Sequence, residues 1–195
     1  AGGDRSSQGL AQLVRAGTRG RQNRHVEQGH DEREAKHGEN GSFLSPLGQS
    51  CRVSAESTLF AYGSLMFPEV WWHVVGRERP SVPATLRGHS AFTVRGYSFP
   101  GLLQSTPEST TPGRLYFELD AEDWRKLDEF EDRFYVRQRV EVETENAGKP
   151  LGALAYLVDP SQSSVLSEQM WDPSWFGEHA LGDFLDRISG FEPST

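Results

Sequence analysis

The aromatic residues of this chain lie almost entirely beyond residue 55, and this division decides where a folded core can form. The first 55 residues contain a single aromatic side chain, Phe43, together with nine of the 20 glycines. A segment of that composition cannot bury enough apolar surface to offset the conformational entropy lost on folding. We therefore expect residues 1–55 to form a disordered tail and residues 56–195 to form one domain.

The predicted domain is acidic, which limits its partners. The whole chain carries a net charge of −8, to which residues 1–55 contribute +2 and the remainder −10. Nucleic-acid binding depends largely on lysine and arginine neutralising phosphates, so this balance argues against it. No apolar run approaches the roughly 18 residues that a membrane-spanning helix needs. We expect neither nucleic acid nor a membrane as a partner.

The arginines near the N-terminus allow two interpretations. The first 26 residues contain five arginines and one acidic residue, Asp4, as organellar transit peptides often do. A clear amphipathic face is missing, however, and no apolar segment of the kind found in secretory signals is present. We expect a cytoplasmic protein, with organellar targeting by residues 1–26 as the alternative.

The sequence predicts no metal or cofactor site. Cys51 is the only cysteine, so it can form neither an intramolecular disulfide nor a cysteine-based zinc site. His73, His89 and His179 lack the spacing of metal ligands. Glycine-rich nucleotide-binding motifs are absent as well.

Short apolar runs separated by glycine and proline predict a mixture of strands and helices. The predicted strands cover residues 57–62, 91–94, 115–119, 135–145 and 151–158, and the predicted helices cover residues 68–75, 121–131 and 175–188. Many short strands with few helices indicate an α+β fold with a curled or closed sheet.

The helix predicted over residues 121–131 ends in a candidate catalytic group. Trp124 and Leu127 mark its apolar face, and Glu131, one turn after Leu127, falls on the same face. Asp128 borders that face. A carboxyl group directed at an apolar interior has a raised pKa, which suits a general base near neutral pH. The alternative, an acidic helix end that meets water, stays open at this point.

The turn after the first predicted strand is a second candidate. Tyr62-Gly63-Ser64-Leu65 links a strand to a helix start and is expected to expose unpaired backbone N–H groups. Such groups bind carboxylates or a developing oxyanion. The alternative is an ordinary strand–turn–helix corner, because a short glycine loop is weak support for a site.

Three motifs at fixed separations connect these candidates. They are residues 59–66 (LFAYGSLM), 127–131 (LDEFE) and 135–137 (YVR). Together with the segments between them, they resemble the γ-glutamylcyclotransferase-like family over about residues 57–158. The resemblance is greatest to the branch of the plant avirulence-induced proteins and the bacterial γ-glutamylamine cyclotransferases.

The resemblance implies a small mixed β-barrel flanked by helices, with no metal or organic cofactor. In that family, the backbone of the YGSL loop holds the γ-glutamyl group and the glutamate that closes the LDxxE motif is the catalytic acid and base. Carried over to this chain, these roles fall on Tyr62, Gly63, Ser64 and Leu65 for substrate binding and on Glu131 for catalysis. Tyr156 is expected to contact substrate too, and Tyr135 and Arg137 to shape the site.

The implied activity converts a γ-glutamyl amine or γ-glutamyl amino acid to 5-oxoproline and a free amine. Its partner would be that small-molecule substrate, and the protein is expected to be a monomer or a weak dimer. A non-catalytic ligand-binding or regulatory module on the same fold is the alternative.

Two departures from the family pattern are visible. Asp132 stands where many members have glycine after the catalytic glutamate, so the end of the helix is expected to differ. Residues 105–112 (STPESTTP) are longer and more polar than in the family, and we expect them to reshape the rim of the pocket.

Overall fold

The computed structural model describes residues 41–44 and 50–190. The strands are β1 Gly41–Leu44, β2 Ser50–Val53, β3 Leu59–Ala61, β4 Ser81–Arg87, β5 His89–Val94, β6 Pro100–Gln104, β7 Thr110–Tyr116, β8 Tyr135–Glu143, β9 Leu151–Val158 and β10 Leu166–Met170. The α-helices are α1 Pro68–Val75, α2 Ala121–Phe130, α3 Pro173–His179 and α4 Leu181–Ile188. Short 3₁₀ helices cover Ala55–Ser57, Ser64–Met66 and Pro160–Val165.

Five strands close into a barrel in the order β3-β7-β4-β8-β9. Four of its pairings are antiparallel, and the barrel closes where β3 runs parallel to β9 with Leu59 opposite Leu154. The interior is filled by fully buried side chains such as Phe60, Leu115 and Val142. This architecture confirms the predicted α+β fold with a small mixed β-barrel flanked by helices.

A second sheet, in the order β10-β5-β6, lies beside the barrel and carries the C-terminal helices. Phe184 of α4 packs edge-on against Phe99 and Phe176, with ring centroids 6.2 and 5.5 Å away. The single helix predicted over residues 175–188 is wrong, because the chain leaves helical geometry at Ala180 (φ −124°, ψ −17°) and forms two helices. The helical spacing of apolar residues continues through that bend, so the pattern does not reveal it.

Within the predicted domain, residues 56–195, three strands were not predicted, and proline accounts for two of them. Pro83 lies inside β4 and Pro100 opens β6, and proline argues against a strand because it cannot donate to the ladder. β8 pairs only with Thr85 and Leu86 of β4, so Pro83 has β7 as its one neighbouring strand. The third, β10, has a largely exposed polar sequence without alternation.

The predicted tail contains one short element of structure. β1 and β2 pair antiparallel, with Gly41 opposite Val53, which corrects the prediction of disorder for that part of residues 1–55. Phe43 and Val53 are residue types that favour strands, but the two runs are too short for periodicity to identify them. Ser54 and Ala55 are described as well, as the N-cap and first residue of a 3₁₀ helix. The remaining residues of the predicted tail, and their predicted disorder, lie outside the described part of the chain.

A partly buried ion-pair cluster fixes the first turn of α2 to the segment that follows α1. Arg77 and Arg79 each donate from Nε to the Asp123 carboxylate at 2.8 Å, and they reach Asp120 at 2.6 and 2.7 Å. Asp123 is fully buried and also closes a capping box with Asp120. Since α2 is held at its start, the position of its last residues relative to the barrel is fixed too.

Candidate functional site

A pocket opens where β3 ends, between the turn that follows this strand, the end of α2 and the start of β8. It is lined by backbone and side chains from these elements and from β6, β9 and α4: Leu59, Phe60, Ala61, Tyr62, Gly63, Ser64, Leu65, Phe99, Pro100, Phe130, Glu131, Asp132, Tyr135, Tyr156 and Phe184. Of the eight predicted site residues, seven therefore meet in one pocket. The exception is Arg137.

The turn over residues 63–65 lines the pocket and contains free backbone donors. Its carbonyl groups are engaged: the N–H of Met66 donates to the oxygen of Gly63 at 2.9 Å, and the Tyr116 hydroxyl donates to the oxygen of Leu65 at 3.0 Å. Within the described residues, the N–H groups of Gly63, Ser64 and Leu65 have no hydrogen-bond partner. They are free to bind an acceptor on a ligand.

Gly63 is required by a close approach of the neighbouring sheet. A Cβ atom at this position would lie 2.9 Å from Cγ and 3.1 Å from Cδ of Pro100, closer than carbon atoms approach without a shift. The glycine thus lets the turn lie against β6, and both residues form the wall of the pocket.

Glu131 enters the pocket from the end of α2. It is the C-cap residue, with extended backbone geometry (φ −76°, ψ 142°), and its N–H donates to the oxygen of Leu127 at 3.0 Å. The helix was predicted to include residue 131, but it ends at Phe130. Its carboxyl group forms no hydrogen bond or ion pair with the described residues, so it is available to a ligand.

The surroundings of Glu131 favour its protonated form. Removal from water is the main cause that raises its pKa to about 8, and the negative charges of Asp132 and Asp128 add to the effect. The side chain keeps some contact with solvent through the mouth of the pocket. Of the two alternatives left open by the sequence, the structure therefore favours a desolvated carboxyl group over a fully solvated helix end.

Two tyrosine hydroxyl groups hold the walls of the pocket together. Tyr62 donates to the backbone oxygen of Tyr156 at 2.7 Å and accepts from the N–H of Leu102 at 3.2 Å. Tyr135 donates to the backbone oxygen of Pro100 at 2.5 Å. Burial raises the pKa of both phenols well above its usual value, so each remains a neutral donor in a fixed direction.

Tyr156 links the pocket to a charged pair on the outside of the barrel. Its hydroxyl donates to Asp128 at 2.6 Å, and Asp128 pairs with Arg137 at 3.5 Å. Arg137 lies over the ring of Trp124, 4.9 Å from the centroid. Arg137, predicted to shape the site, thus contacts the residue that holds Tyr156 and does not line the pocket itself.

Sequence reasoning missed the apolar wall of the pocket and one of its acids. Phe99, Pro100 and Phe184 come from elements that only the folded barrel brings to the site, so local patterns give no signal for them. Asp132 was expected to alter the helix end, and it lines the pocket as well. Residues 105–112 were expected to reshape the rim, but none of them lines the pocket.

The described residues contain neither a helix that could span a membrane nor a cluster of metal-binding side chains. No helix among them is long and apolar enough to cross a membrane. In this part of the chain, no group of three or more histidine, cysteine or acidic side chains is placed to bind a metal ion. The chemistry that this pocket offers rests on a carboxyl group with a raised pKa and on free backbone donors.

Known proteins are similar to this chain in sequence and in fold. The family described as Gamma-glutamyl cyclotransferase, AIG2-like, matches residues 59–173. AIG2-like protein C of Arabidopsis thaliana is 30% identical over 135 residues, which cover 68% of this chain and 76% of that protein.

Solved structures of Arabidopsis thaliana proteins show the same architecture. One solution structure matches with a TM-score of 0.53 and 20% identity, covering 68% of this chain and 79% of that one. A second matches with a TM-score of 0.50 and 21% identity, covering 71% of this chain and 95% of that one. At these identities the structures show the fold, while the family match extends over more than half of the chain. This chain belongs to the AIG2-like γ-glutamyl cyclotransferase family.

Proposed function

We propose that this protein converts a γ-glutamyl amine or γ-glutamyl amino acid to 5-oxoproline and a free amine, with Glu131 as general base and acid. Its family and fold indicate γ-glutamyl cyclotransferase-like activity. The observation that carries the finer proposal is the unpaired Glu131 carboxyl group, with a pKa of about 8, in the same pocket as three free backbone N–H groups.

The reaction needs a group that moves protons. The α-amine of the substrate must attack its own γ-carbonyl carbon, but near pH 7 it is an ammonium ion without a lone pair. Glu131 in its carboxylate form takes a proton from this ammonium and returns it to the departing nitrogen. The second proton, which the α-nitrogen loses as the new amide bond forms, also ends on that nitrogen. Such acid–base catalysis contributes about 10²–10⁴-fold to the rate.

The backbone N–H groups of residues 63–65 would bind the negatively charged parts of the substrate. They can orient its α-carboxylate or stabilise the oxygen of the γ-carbonyl group as it becomes negative. Either contact holds the flexible glutamyl chain in a ring-closing conformation, which lowers the entropic part of the barrier.

The aromatic wall formed by Phe99, Phe130 and Phe184 would limit the access of water. When nucleophilic water is excluded from the pocket, ring closure by the amine is favoured over hydrolysis to glutamate. The substrate of this pocket is a small molecule.

The experiment measures release of 5-oxoproline by the full chain from a panel of γ-glutamyl amines and γ-glutamyl amino acids. Glu131→Gln keeps the size of the side chain but cannot exchange protons, so its kcat should fall at least about 10²-fold. Its circular dichroism spectrum and unfolding curve serve as the control for folding. Undiminished release by a folded Glu131→Gln protein would refute the role of Glu131.

One observation favours the alternative of a non-catalytic binding module. The pKa of Glu131, raised to about 8 by burial and in part by Asp132, lowers the fraction of Glu131 side chains that are ionised and able to act as a base near pH 7. Tight binding of γ-glutamyl compounds without release of 5-oxoproline, over the whole range from pH 6 to pH 9, would support that module.

A further inference from the structure

The side chains that line this pocket can bring only negative charge to it. Two of its lining side chains, Glu131 and Asp132, are acids, and no arginine, lysine or histidine of the described residues lines it. A carboxylate on the leaving part of a substrate would find no cationic partner there and would be repelled. A cationic leaving part would be attracted.

Asp132 and its neighbour Glu131 have no side-chain partner among the described residues, whereas two other acids of α2 are paired. Asp123 is held by two arginines, and Asp128 is held by Tyr156 and Arg137. The carboxyl group of Asp132 makes no hydrogen bond or ion pair with any described residue, although it is half-buried. A desolvated carboxylate without a partner is costly, so a cation supplied by a ligand would bind it favourably.

The position of Asp132 is fixed next to the proposed catalytic group. Its backbone oxygen accepts a hydrogen bond from the N–H of Tyr135 at 3.0 Å, which closes the turn between α2 and β8. In the proposed reaction Glu131 protonates the leaving nitrogen. Any chain attached to that nitrogen therefore begins beside residue 131, within reach of its neighbour.

We propose that Asp132 makes the enzyme selective for substrates whose leaving amine carries a second positive charge, such as γ-glutamyl derivatives of diamines and polyamines. This inference rests on the proposed function. In the reaction, the bond from the α-nitrogen to the γ-carbonyl carbon forms as the amide C–N bond breaks. The two protons lost by the α-ammonium both end on the leaving nitrogen, which departs as an ammonium ion.

Three substrates that differ only at the far end of the leaving chain test the proposal. They are γ-glutamyl pentylamides that end in an ammonium, a methyl or a carboxylate group. For the wild-type protein we expect kcat/KM to be at least about tenfold higher for the ammonium than for the methyl compound, and lowest for the carboxylate. In Asp132→Asn, the ratio of kcat/KM for the ammonium compound to kcat/KM for the methyl compound should fall close to one.

Asp128→Asn is the matched control, because it also removes a negative charge near Glu131 but lies outside the pocket lining. For this variant, the ratio of kcat/KM for the ammonium compound to kcat/KM for the methyl compound should equal that of the wild type. The ratio cancels any change of the Glu131 pKa, which both substrates experience equally. Equal losses for both substrates in Asp132→Asn would overturn the proposal, since they would place Asp132 at the α-ammonium that both share.

Binding separates this proposal from the proposed function. Calorimetry measures the Kd of the ammonium and methyl compounds for Glu131→Gln and for the double variant that adds Asp132→Asn. If the ammonium compound binds more tightly than the methyl compound, and only when Asp132 is present, the proposed selectivity is supported. This holds even if the wild-type protein turns over none of the compounds and the cyclotransferase proposal fails. Equal Kd values for both compounds would overturn it.

Discussion

Glu131 combines two properties that rarely occur together in a glutamate. Its carboxyl group has no protein partner, and its surroundings oppose ionisation through burial and through the charges of Asp132 and Asp128. At a pKa of about 8 the proton is held loosely enough to be exchanged near neutral pH. The same glutamate with an arginine partner would stay ionised and would be a weaker base.

The pKa of Glu131 predicts the pH dependence of the reaction. Because the free enzyme must present a carboxylate to the substrate ammonium, kcat/KM should rise with pH and level off above a pKa of about 8. Asp132→Asn removes one of the neighbouring charges, so this acidic limb should move to lower pH while burial keeps it above that of an ordinary glutamate. The measurement is a pH profile of kcat/KM for the methyl-ended pentylamide. If the acidic limb lay at the same pH in the wild type and in Asp132→Asn, the assignment of this pKa to Glu131 would be contradicted.

The turn at residues 63–65 shows how closely two elements must approach to form this pocket. Gly63→Ala would place a Cβ 2.9 Å from Cγ of Pro100, so the turn or β6 must shift. A displacement of the backbone donors should lower kcat/KM by about ten- to a hundredfold, with the fold retained.

Gly182→Ala is the control for this substitution, because an added Cβ in α4 meets no atom within 4 Å. Its kcat/KM should equal that of the wild type. Wild-type activity in Gly63→Ala as well would show that the turn does not need this close approach.

The start of α2 depends on the ion-pair cluster around Asp123. Asp123→Ala would leave Arg77 and Arg79 with Asp120 alone and would remove the capping box. We expect the free energy of unfolding to fall by about 2–4 kcal/mol, measured by urea denaturation.

The matched control for that cluster is an exposed ion pair of similar length. Arg87 donates to Glu143 at 2.7 Å on the surface of the barrel, and Glu143→Ala should leave stability nearly unchanged. Equal effects of the two substitutions would mean that burial of Asp123 contributes nothing.

Elements with a strong local pattern could be predicted from the sequence. Helix α1, which begins at a proline and ends before a glycine, and strand β9, apolar on both faces, have the predicted bounds 68–75 and 151–158. The break at Ala180 could not be predicted, because apolar spacing continues across it. Strand β4, which contains Pro83, could not be predicted either. A strand tolerates proline only where no neighbouring strand needs its N–H group, and this depends on the pairing of β4 with β8 in the folded barrel.

At the scale of the whole molecule, the barrel brings together parts of the site that are far apart in the sequence. The turn at residues 63–65 follows the first barrel strand, whereas Glu131 precedes the fourth, and β9 adds Tyr156. Motifs of the family predicted these residues. The aromatic wall and the outward position of Arg137 depend on packing, for which a single sequence carries no local signal.

The most direct test of the account is the identity of the product formed in water enriched in oxygen-18. Ring closure by the substrate amine gives 5-oxoproline that contains no label, and it should disappear in Glu131→Gln. Hydrolysis of the same amide gives glutamate with one labelled oxygen. Mass spectrometry of the product from the full chain should therefore show unlabelled 5-oxoproline for the wild type alone. Labelled glutamate, or unlabelled 5-oxoproline formed equally by the wild type and by Glu131→Gln, would contradict ring closure catalysed by Glu131.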